Sequence, residues 1–181
     1  MFALAKELKK PGKVVITTTT TKIFPPTSSQ SPFCFLSSSE ERIKEILFKE
    51  RDNCRHITIA SEKIQESGKL KGISPTLVSK LSELDFVPYI IVEADGAARK
   101  PLKAPASHEP VIPSNTTLVI GIIGLDALGY PLNEKKVFRS EIACKLTGQN
   151  SGSYITDETI TTLITHPLGI LKDSPSEARI I

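Results

Sequence analysis

The stretch that most constrains this chain runs from Tyr89 to Gly96, where four consecutive apolar or aromatic residues precede two carboxylates and a glycine. Because these four residues show no alternation of apolar and polar side chains, they predict a strand buried on both faces, as in a parallel α/β sheet covered by helices. Sites in such sheets collect at the carboxyl ends of strands. Glu93 and Asp95 are two residues apart, so in an extended chain their side chains point the same way. We therefore expect both carboxylates to face a site at this edge.

The chain before this stretch alternates between helical and extended patterns. An amphipathic helical pattern opens the chain and ends at Pro11-Gly12, and a strand rich in β-branched residues follows. Residues 27–39 are rich in serine and proline and are predicted to form a loop. The further predictions are a helix from about 40 to 50, a strand over 56–60, a hairpin or mobile loop over 61–72, and a helix that begins at Ser74-Pro75. This α-β-α-β-α-β order is typical of a doubly wound sheet.

The chain after Gly96 is predicted to add another buried strand, over residues 117–124, and three further helices. The helices are expected over about 134–146, from Thr156 to His166, and from about 174 onward. We expect one α/β domain over residues 1–181, incomplete at both ends, because the first helix has no N-cap and the apolar residues at Ile180 are typical of the start of a strand. The longest apolar run is far shorter than the roughly 20 residues of a membrane helix, so no membrane span is predicted.

Composition and charge exclude several classes of protein. The chain has 39% hydrophobic and 24% charged residues, as in an ordinary globular domain. Its formal charge of +3 is too small, and its cations too evenly mixed with its anions, to predict nucleic-acid binding. The three cysteines form no C-x-x-C pair and the three histidines form no zinc motif. These features indicate a cytoplasmic protein with reduced thiols and without a zinc site.

Two polar segments are candidates for binding a phosphorylated ligand. The first, residues 17–22, follows a predicted strand and offers threonine hydroxyls and a lysine to a phosphate or to the waters around Mg²⁺; the alternative is a Thr-rich strand with a solvated end. The second is the loop after Gly96, where Arg99, Lys100 and Lys103 could bind an oligophosphate while the preceding acids hold its metal. The alternative there is a salt-bridged loop stiffened by proline.

No G-x-x-x-x-G-K-[ST] motif occurs in these residues, so the backbone loop that holds nucleotide phosphates in P-loop proteins is absent from them. Several segments nevertheless resemble the YqeC-type proteins, which are described as accessory proteins for selenium-dependent molybdenum hydroxylases. The segments are TTTTTKIFPP, VEADGAARKPLKAP, HEPVIP, VIGIIGLDALG, VFRSE, and ITDETI followed by HPLG. The likeness covers nearly the whole chain, and VEADGA with its basic tail is its most specific part.

The resemblance implies a fold of the P-loop NTPase type, a doubly wound and mainly parallel Rossmann-like sheet. Family members begin with a G-G-K-T-type loop just before the helix that starts here at Met1, so this chain is expected to be truncated at its N-terminal strand and P-loop. By the same resemblance, Glu93 and Asp95 occupy a Walker-B-like position, as ligands of Mg²⁺ and as catalytic groups that orient the attacking water. The residues expected to bind the cofactor, ATP or GTP, are Thr18, Thr19, Thr20, Lys22, Gly96, Arg99, Lys100 and Lys103.

The function that the resemblance implies is Mg-dependent binding of a nucleoside triphosphate, with hydrolysis when the protein is complete. The protein would assist maturation of a selenium-dependent molybdenum hydroxylase, with that enzyme or its cofactor as partner. The alternative is a non-catalytic binding module that docks a cofactor or a partner protein through its basic loop. The sequence leaves open the preferred nucleotide base and the oligomeric state, including a homo-oligomer.

Overall fold

The computed structural model describes all residues from 1 to 181. Internal contacts divide the chain into two compact units: unit 1, residues 1–94, and unit 2, residues 95–181. The expected single domain over residues 1–181 stays a prediction. None of the helices has both the length and the apolar character needed to cross a membrane.

Unit 1 is built on a parallel four-stranded sheet with a small antiparallel sheet beside it. Its strands are β1 (Val15–Thr19), β2 (Lys22–Ile23), β3 (Phe33–Leu36), β4 (His56–Ala60), β5 (Glu62–Lys63), β6 (Leu70–Lys71) and β7 (Tyr89–Glu93). Its helices are α1 (Phe2–Glu7), α2 (Glu40–Glu50) and α3 (Pro75–Leu81). The parallel sheet has the order β3-β4-β1-β7. This arrangement confirms the predicted Rossmann-like α/β fold class.

Local sequence signals account for the helix boundaries of unit 1. The hydroxyl of Ser39 accepts a hydrogen bond from the backbone N–H of Arg42 and caps α2. Ser74 caps α3 in the same way, and Pro75 occupies the first helical position, where its missing N–H has no cost. The helices pack apolar side chains on the sheet, in a core whose fully buried members include Ile16, Ile43, Leu47, Ile57 and Leu81.

The strand predicted to be buried on both faces is β7, and that part of the prediction is wrong. Within its sheet β7 pairs only with β1, so it is the last strand, and four of its five residues are half-buried while Tyr89 is exposed. An apolar run without alternation indicates that both faces of a strand are partly covered, but it does not indicate whether one or two strands pair with it. The parallel pairing itself is as predicted.

Residues 27–39 were predicted as a loop, and this prediction is wrong for β3. Its four residues, Phe33 to Leu36, alternate between half-buried and exposed and pair in parallel with β4. The run Phe-Cys-Phe-Leu was the available signal, but neighbouring serines and prolines outweighed it. The hairpin over 61–72 is confirmed by the antiparallel pairing of β5 with β6. It ends at Gly72, where a Cβ would lie 2.1 Å from the carbonyl oxygen of Thr19, so only glycine fits.

Unit 2 contains short strands and two helices around a second apolar core. Its strands are β8 (Leu102–Lys103), β9 (Leu118–Val119), β10 (Val137–Phe138) and β11 (Arg179–Ile180), and its helices are α4 (Ser140–Thr147) and α5 (Asp157–Thr165), with a 3₁₀ turn at Leu125–Ala127. β8 pairs in parallel with β10, and β9 with β11. The fully buried members of the core include Leu102, Leu132, Val137, Ala143 and Leu163.

Of the four elements predicted for unit 2, two are wrong, one is confirmed, and the helix expected over about 134–146 is present only from Ser140, as α4. The buried strand expected over 117–124 shrinks to β9, and Ile122 is 82% exposed, because its pairing with β11 covers only the first part of the run. The helix expected from about 174 is absent, since residues 174–178 contain only a turn and a bend, and the backbone N–H of Arg179 donates to the carbonyl of Thr117. The helix α5 begins as predicted at Thr156, whose side chain forms a capping box with Thr159.

A polar group lies in the core of unit 1 at His56, which is fully buried at the start of β4. Its Nε2 lies 3.0 Å from the hydroxyl of Thr17, which in turn is 2.7 Å from the hydroxyl of Thr58, while its Nδ1 has no hydrogen-bond partner. Burial lowers the pKa of His56 to about 4, and the positive charges of Lys9 and Lys6 act in the same direction. The imidazole is therefore neutral in the folded protein at neutral pH.

We predict that His56 makes the protein less stable in mild acid. The unfolded chain takes up a proton near pH 6.5, whereas the folded state resists it until about pH 4. Stability is therefore lost as the pH falls through this window, by up to about 3 kcal/mol. Urea unfolding at a series of pH values between 7 and 4 measures the loss. In a His56→Gln variant, whose side chain cannot titrate, the free energy of unfolding should fall clearly less steeply with pH. Equal slopes in the two proteins would contradict the prediction.

Candidate functional site

The carboxyl ends of β1 and β7 meet at one edge of the parallel sheet in unit 1. Thr19 and Glu93 are register partners, because the two strands run in parallel from Val15 and Tyr89 onward. The backbone N–H of Thr20 donates to the carbonyl oxygen of Glu93 at 3.3 Å. The geometry therefore brings Thr18, Thr19, Thr20 and Glu93 together, as the parallel arrangement predicted.

The threonine hydroxyls at this edge are used largely within the sheet. Thr18 donates to the carbonyl oxygen of Ile59 on one neighbouring strand, and Thr19 donates to the carbonyl oxygen of Glu93 on the other, both at 2.7 Å. Both side chains are fully buried, which is why their hydroxyls must find partners inside the protein. Thr20 is half-buried, and Lys22, on β2, is exposed. At this edge Thr18 and Thr19 are therefore buried, whereas Thr20 and Lys22 are more accessible to a ligand.

Glu93 fits a Mg²⁺ ligand by position and chemistry. Its carboxylate is half-buried at the end of a parallel strand, and Mg²⁺ is commonly held by one or two carboxylates together with substrate phosphates. No group of three or more His, Cys, Asp or Glu side chains lies close enough together to hold a metal ion.

Lys103, in unit 2, is the centre of a separate charged cluster. It lies on β8 with its side chain only 6% exposed. Its ammonium donates to Asp95 Oδ1 and to the carbonyl oxygen of Gly96, at 2.9 Å for the latter, and lies 2.8 Å from Glu109 Oε2. Of the predicted site residues, the structure therefore brings Asp95, Gly96 and Lys103 into direct contact.

Glu109 joins Lys103 to a second cation, the guanidinium of Arg139. Both terminal nitrogens of the guanidinium contact the carboxylate, Nη1 with Oε2 and Nη2 with Oε1, the latter at 3.1 Å. Burial opposes the charge on Glu109, but the bonds from Arg139 and Lys103 outweigh it and lower its pKa to about 2. For Asp95 burial dominates and raises the pKa, although Lys103 acts in the opposite direction. The cluster contains two carboxylates and two cations.

The aromatic ring of Phe138 lies close to three cations in unit 2. The centre of the Phe138 ring lies 4.6 Å from the guanidinium carbon of Arg139, 5.3 Å from Lys103 Nζ and 5.6 Å from Lys100 Nζ. At these distances the ring contributes a favourable cation–π interaction with each cation. Lys100 also forms an ion pair of 2.6 Å with Glu134. Lys100 and Lys103, both predicted to bind phosphate, are therefore paired with carboxylates within unit 2.

Arg99 is the third predicted cation of the basic loop. It is exposed, and it follows Ala98 in a turn closed by a hydrogen bond from Lys100 N–H to the carbonyl of Ala97 at 2.9 Å. Both Ala98 and Arg99 have positive φ, 50° and 63°, which is uncommon for residues other than glycine. The turn therefore presents Arg99 at the surface from a strained backbone.

Sequence reasoning missed Glu109, Phe138, Arg139 and Glu134. The first three lie in HEPVIP and VFRSE, two segments that carried the family resemblance, but no local pattern assigned them a role. Glu109 and Arg139 are 30 residues apart and meet only in the folded chain. Pairs of this kind have no periodic signal in a single sequence.

Comparisons with known proteins agree with one another. A family model described as YqeC protein matches residues 1–141. A curated protein of Escherichia coli (strain K12), named "Uncharacterized protein YqeC", is 31% identical over 179 residues, which are 99% of this chain and 68% of that protein. No solved structure matches the chain.

We predict that Glu134 is the N-terminal cap of α4. Arg139 precedes this helix with a positive φ and provides no side-chain cap, whereas Glu134 Oε1 accepts from both the N–H and the hydroxyl of Ser140, at 2.7 and 3.0 Å. Glu134→Ala should lower the free energy of unfolding by about 1 kcal/mol. Urea unfolding measures this loss. Glu141→Ala is the matched control, since this exposed glutamate lies in the first turn but caps nothing, and an equal loss in it would argue against the cap.

Proposed function

Because the chain belongs to the YqeC family, we propose that it binds a nucleoside triphosphate, ATP or GTP, together with Mg²⁺. The family resemblance further supports a role in the cytoplasm, in the maturation of a selenium-dependent molybdenum hydroxylase. Hydrolysis by proteins of this type needs a phosphate-binding loop, and these 181 residues contain no such motif. The proposal for this chain is therefore nucleotide binding, with hydrolysis where that loop is present.

The observation that carries the proposal is the shared edge of β1 and β7. Parallel strands direct their carboxyl ends to one side, and this edge combines an acidic residue, Glu93, with Thr20 and the exposed cation of Lys22. A carboxylate suits the metal of a metal–nucleotide complex, whereas a hydroxyl and an ammonium suit its phosphate oxygens. One sheet edge thus supplies the two kinds of group that such a ligand requires.

Each residue at this edge would perform a distinct step. Mg²⁺ neutralises phosphate charge when it is bound, and Glu93 would hold it or its water shell. Thr20 and Lys22 would orient the phosphates, while Thr18 and Thr19, through their bonds to Ile59 and Glu93, would keep the strand ends in register. Arg99 belongs to unit 2, and its role as a phosphate-binding cation stays a separate prediction.

The basic loop favours a second function, that of a non-catalytic binding module. Lys100 and Lys103 are held by Glu134, Asp95 and Glu109, which is the salt-bridged alternative considered for this loop. A loop that is neutralised internally presents a fixed surface to a cofactor or a partner protein. In this function the protein would bind without turnover.

Calorimetric titration with Mg·ATP and Mg·GTP tests the proposal. We expect saturable binding that is lost when EDTA removes the metal, since Glu93 is proposed to contact the ligand through Mg²⁺. Glu93→Gln should weaken binding by about tenfold or more, because the amide carries no charge. Glu83→Gln is the control, since Glu83 is exposed and follows α3 outside the site. An absence of heat with either nucleotide would favour the binding module.

A further inference from the structure

We propose that Lys103 is a positioning residue that holds the loop of residues 95–100, and that Asp95 is its partner rather than a metal ligand. The inference rests on the proposed function only in that Glu93 remains the candidate metal ligand. It departs from the expectation that Asp95 binds Mg²⁺ and that Lys103 binds phosphate. The contacts within unit 2 carry the argument.

The ammonium of Lys103 is surrounded by partners within unit 2. A lysine offers three N–H donors, and three acceptors surround this one: Asp95 Oδ1, the carbonyl oxygen of Gly96 and Glu109 Oε2. Its side chain is nearly inaccessible to solvent. A phosphate would have to displace one of these acceptors and bring a further negative charge beside two carboxylates. Lys103 therefore suits an internal partner better than a phosphate.

The same contacts make Asp95 a poor fit for a metal. Its Oδ1 is held by the Lys103 ammonium, so a divalent cation bound there would lie beside an existing positive charge. Glu93 remains the candidate metal ligand at its own strand edge, where its backbone carbonyl accepts hydrogen bonds from Thr19 and Thr20. The residues of VEADG thus divide into a candidate metal ligand and a structural acid.

Charge balance explains why the cluster is stable in a largely buried place. Asp95 and Glu109 are matched by Lys103 and Arg139, and Glu109 is held by both cations. Removal of Lys103 would leave two carboxylates with a single cation, which is the costly way to disrupt a buried ion pair. Removal of both Lys103 and Asp95 would leave the pair of Glu109 with Arg139 intact and neutral.

The positioned loop is the one that carries the strained turn. Lys103 binds the loop at Asp95 and Gly96, immediately before the two positive-φ residues Ala98 and Arg99. Strained backbone persists only where surrounding contacts determine it. The bonds from Lys103 supply such contacts at the start of the loop, so the orientation of Arg99 depends on them.

Thermal unfolding of three variants, without nucleotide, tests the pairing. Lys103→Met should lower Tm by on the order of 10 °C, because two carboxylates then share one cation. Asp95→Asn should lower it less, since Lys103 retains Glu109. The decisive variant is Asp95→Asn/Lys103→Met, which should be more stable than Lys103→Met alone. A double variant as unstable as Lys103→Met, or less stable, would overturn the inference.

Lys100→Met is the matched control for the loss of a neighbouring lysine. Lys100 pairs with the exposed Glu134, so its loss should change Tm much less than the loss of Lys103. If Lys103→Met cannot be isolated in folded form, recovery of folded protein in the double variant still supports the inference. Failure of both to fold overturns it.

Hydrogen exchange distinguishes positioning from general stabilisation. In Lys103→Met, at a temperature well below its Tm, amides of residues 96–100 should exchange at least about tenfold faster, while those of α5 change little. Equal acceleration in both segments, or none in the loop, would show that Lys103 does not position the loop. Titration with Mg·ATP is a separate arm: a wild-type protein that fails to bind disproves the proposed function, whereas the unfolding and exchange results still decide the role of Lys103.

Discussion

The structure of unit 1 depends on a strand, β1, that is fully buried and yet rich in hydroxyl groups. All five of its residues are inaccessible to solvent, and three are threonines. A buried hydroxyl without a partner is costly, so each must bond within the sheet. Thr17 bonds with His56 and Thr58, and Thr18 and Thr19 bond to carbonyl oxygens of β4 and β7. Side-chain bonds thereby supplement the backbone ladder on both sides of β1.

This requirement also limits what the strand can do for a ligand. The sequence of five threonines suggested a row of hydroxyls for a phosphate, but neighbouring strands engage the first three. The residues left for a ligand at the edge are Thr20 and Lys22, which follow the end of β1. The hydroxyls of a buried polar strand therefore bond to neighbouring strands, and fewer of them remain for a ligand at the strand end than the number of threonines suggests.

The parts of the fold that were predictable depend on contacts close in sequence. The caps Ser39, Ser74 and Thr156 identified helix starts, because a cap bonds to a residue two or three positions away. The wrong predictions concern elements that depend on partners distant in sequence. β3 is a strand because it pairs with β4, and β9 is short because its pairing with β11 covers only two residues. For the site, the sequence located the acidic strand end and the basic loop. It could not show that Lys103 is engaged by Glu109, since that contact is made by tertiary structure alone.

Stability alone does not explain the charged cluster of unit 2. Well-packed apolar residues often replace a buried ion-pair group at no cost in stability, because desolvation offsets much of the attraction between the charges. Hydrogen-bonded ion pairs are directional, whereas apolar contacts are not. The ammonium of Lys103 donates to Asp95 and Gly96 only when these lie in certain positions, and the planar guanidinium of Arg139 fixes the Glu109 carboxylate through two contacts. The hypothesis that follows is that the cluster is retained for the geometry it imposes. That geometry is imposed on the loop that presents Arg99, the exposed cation of the most specific segment of this sequence.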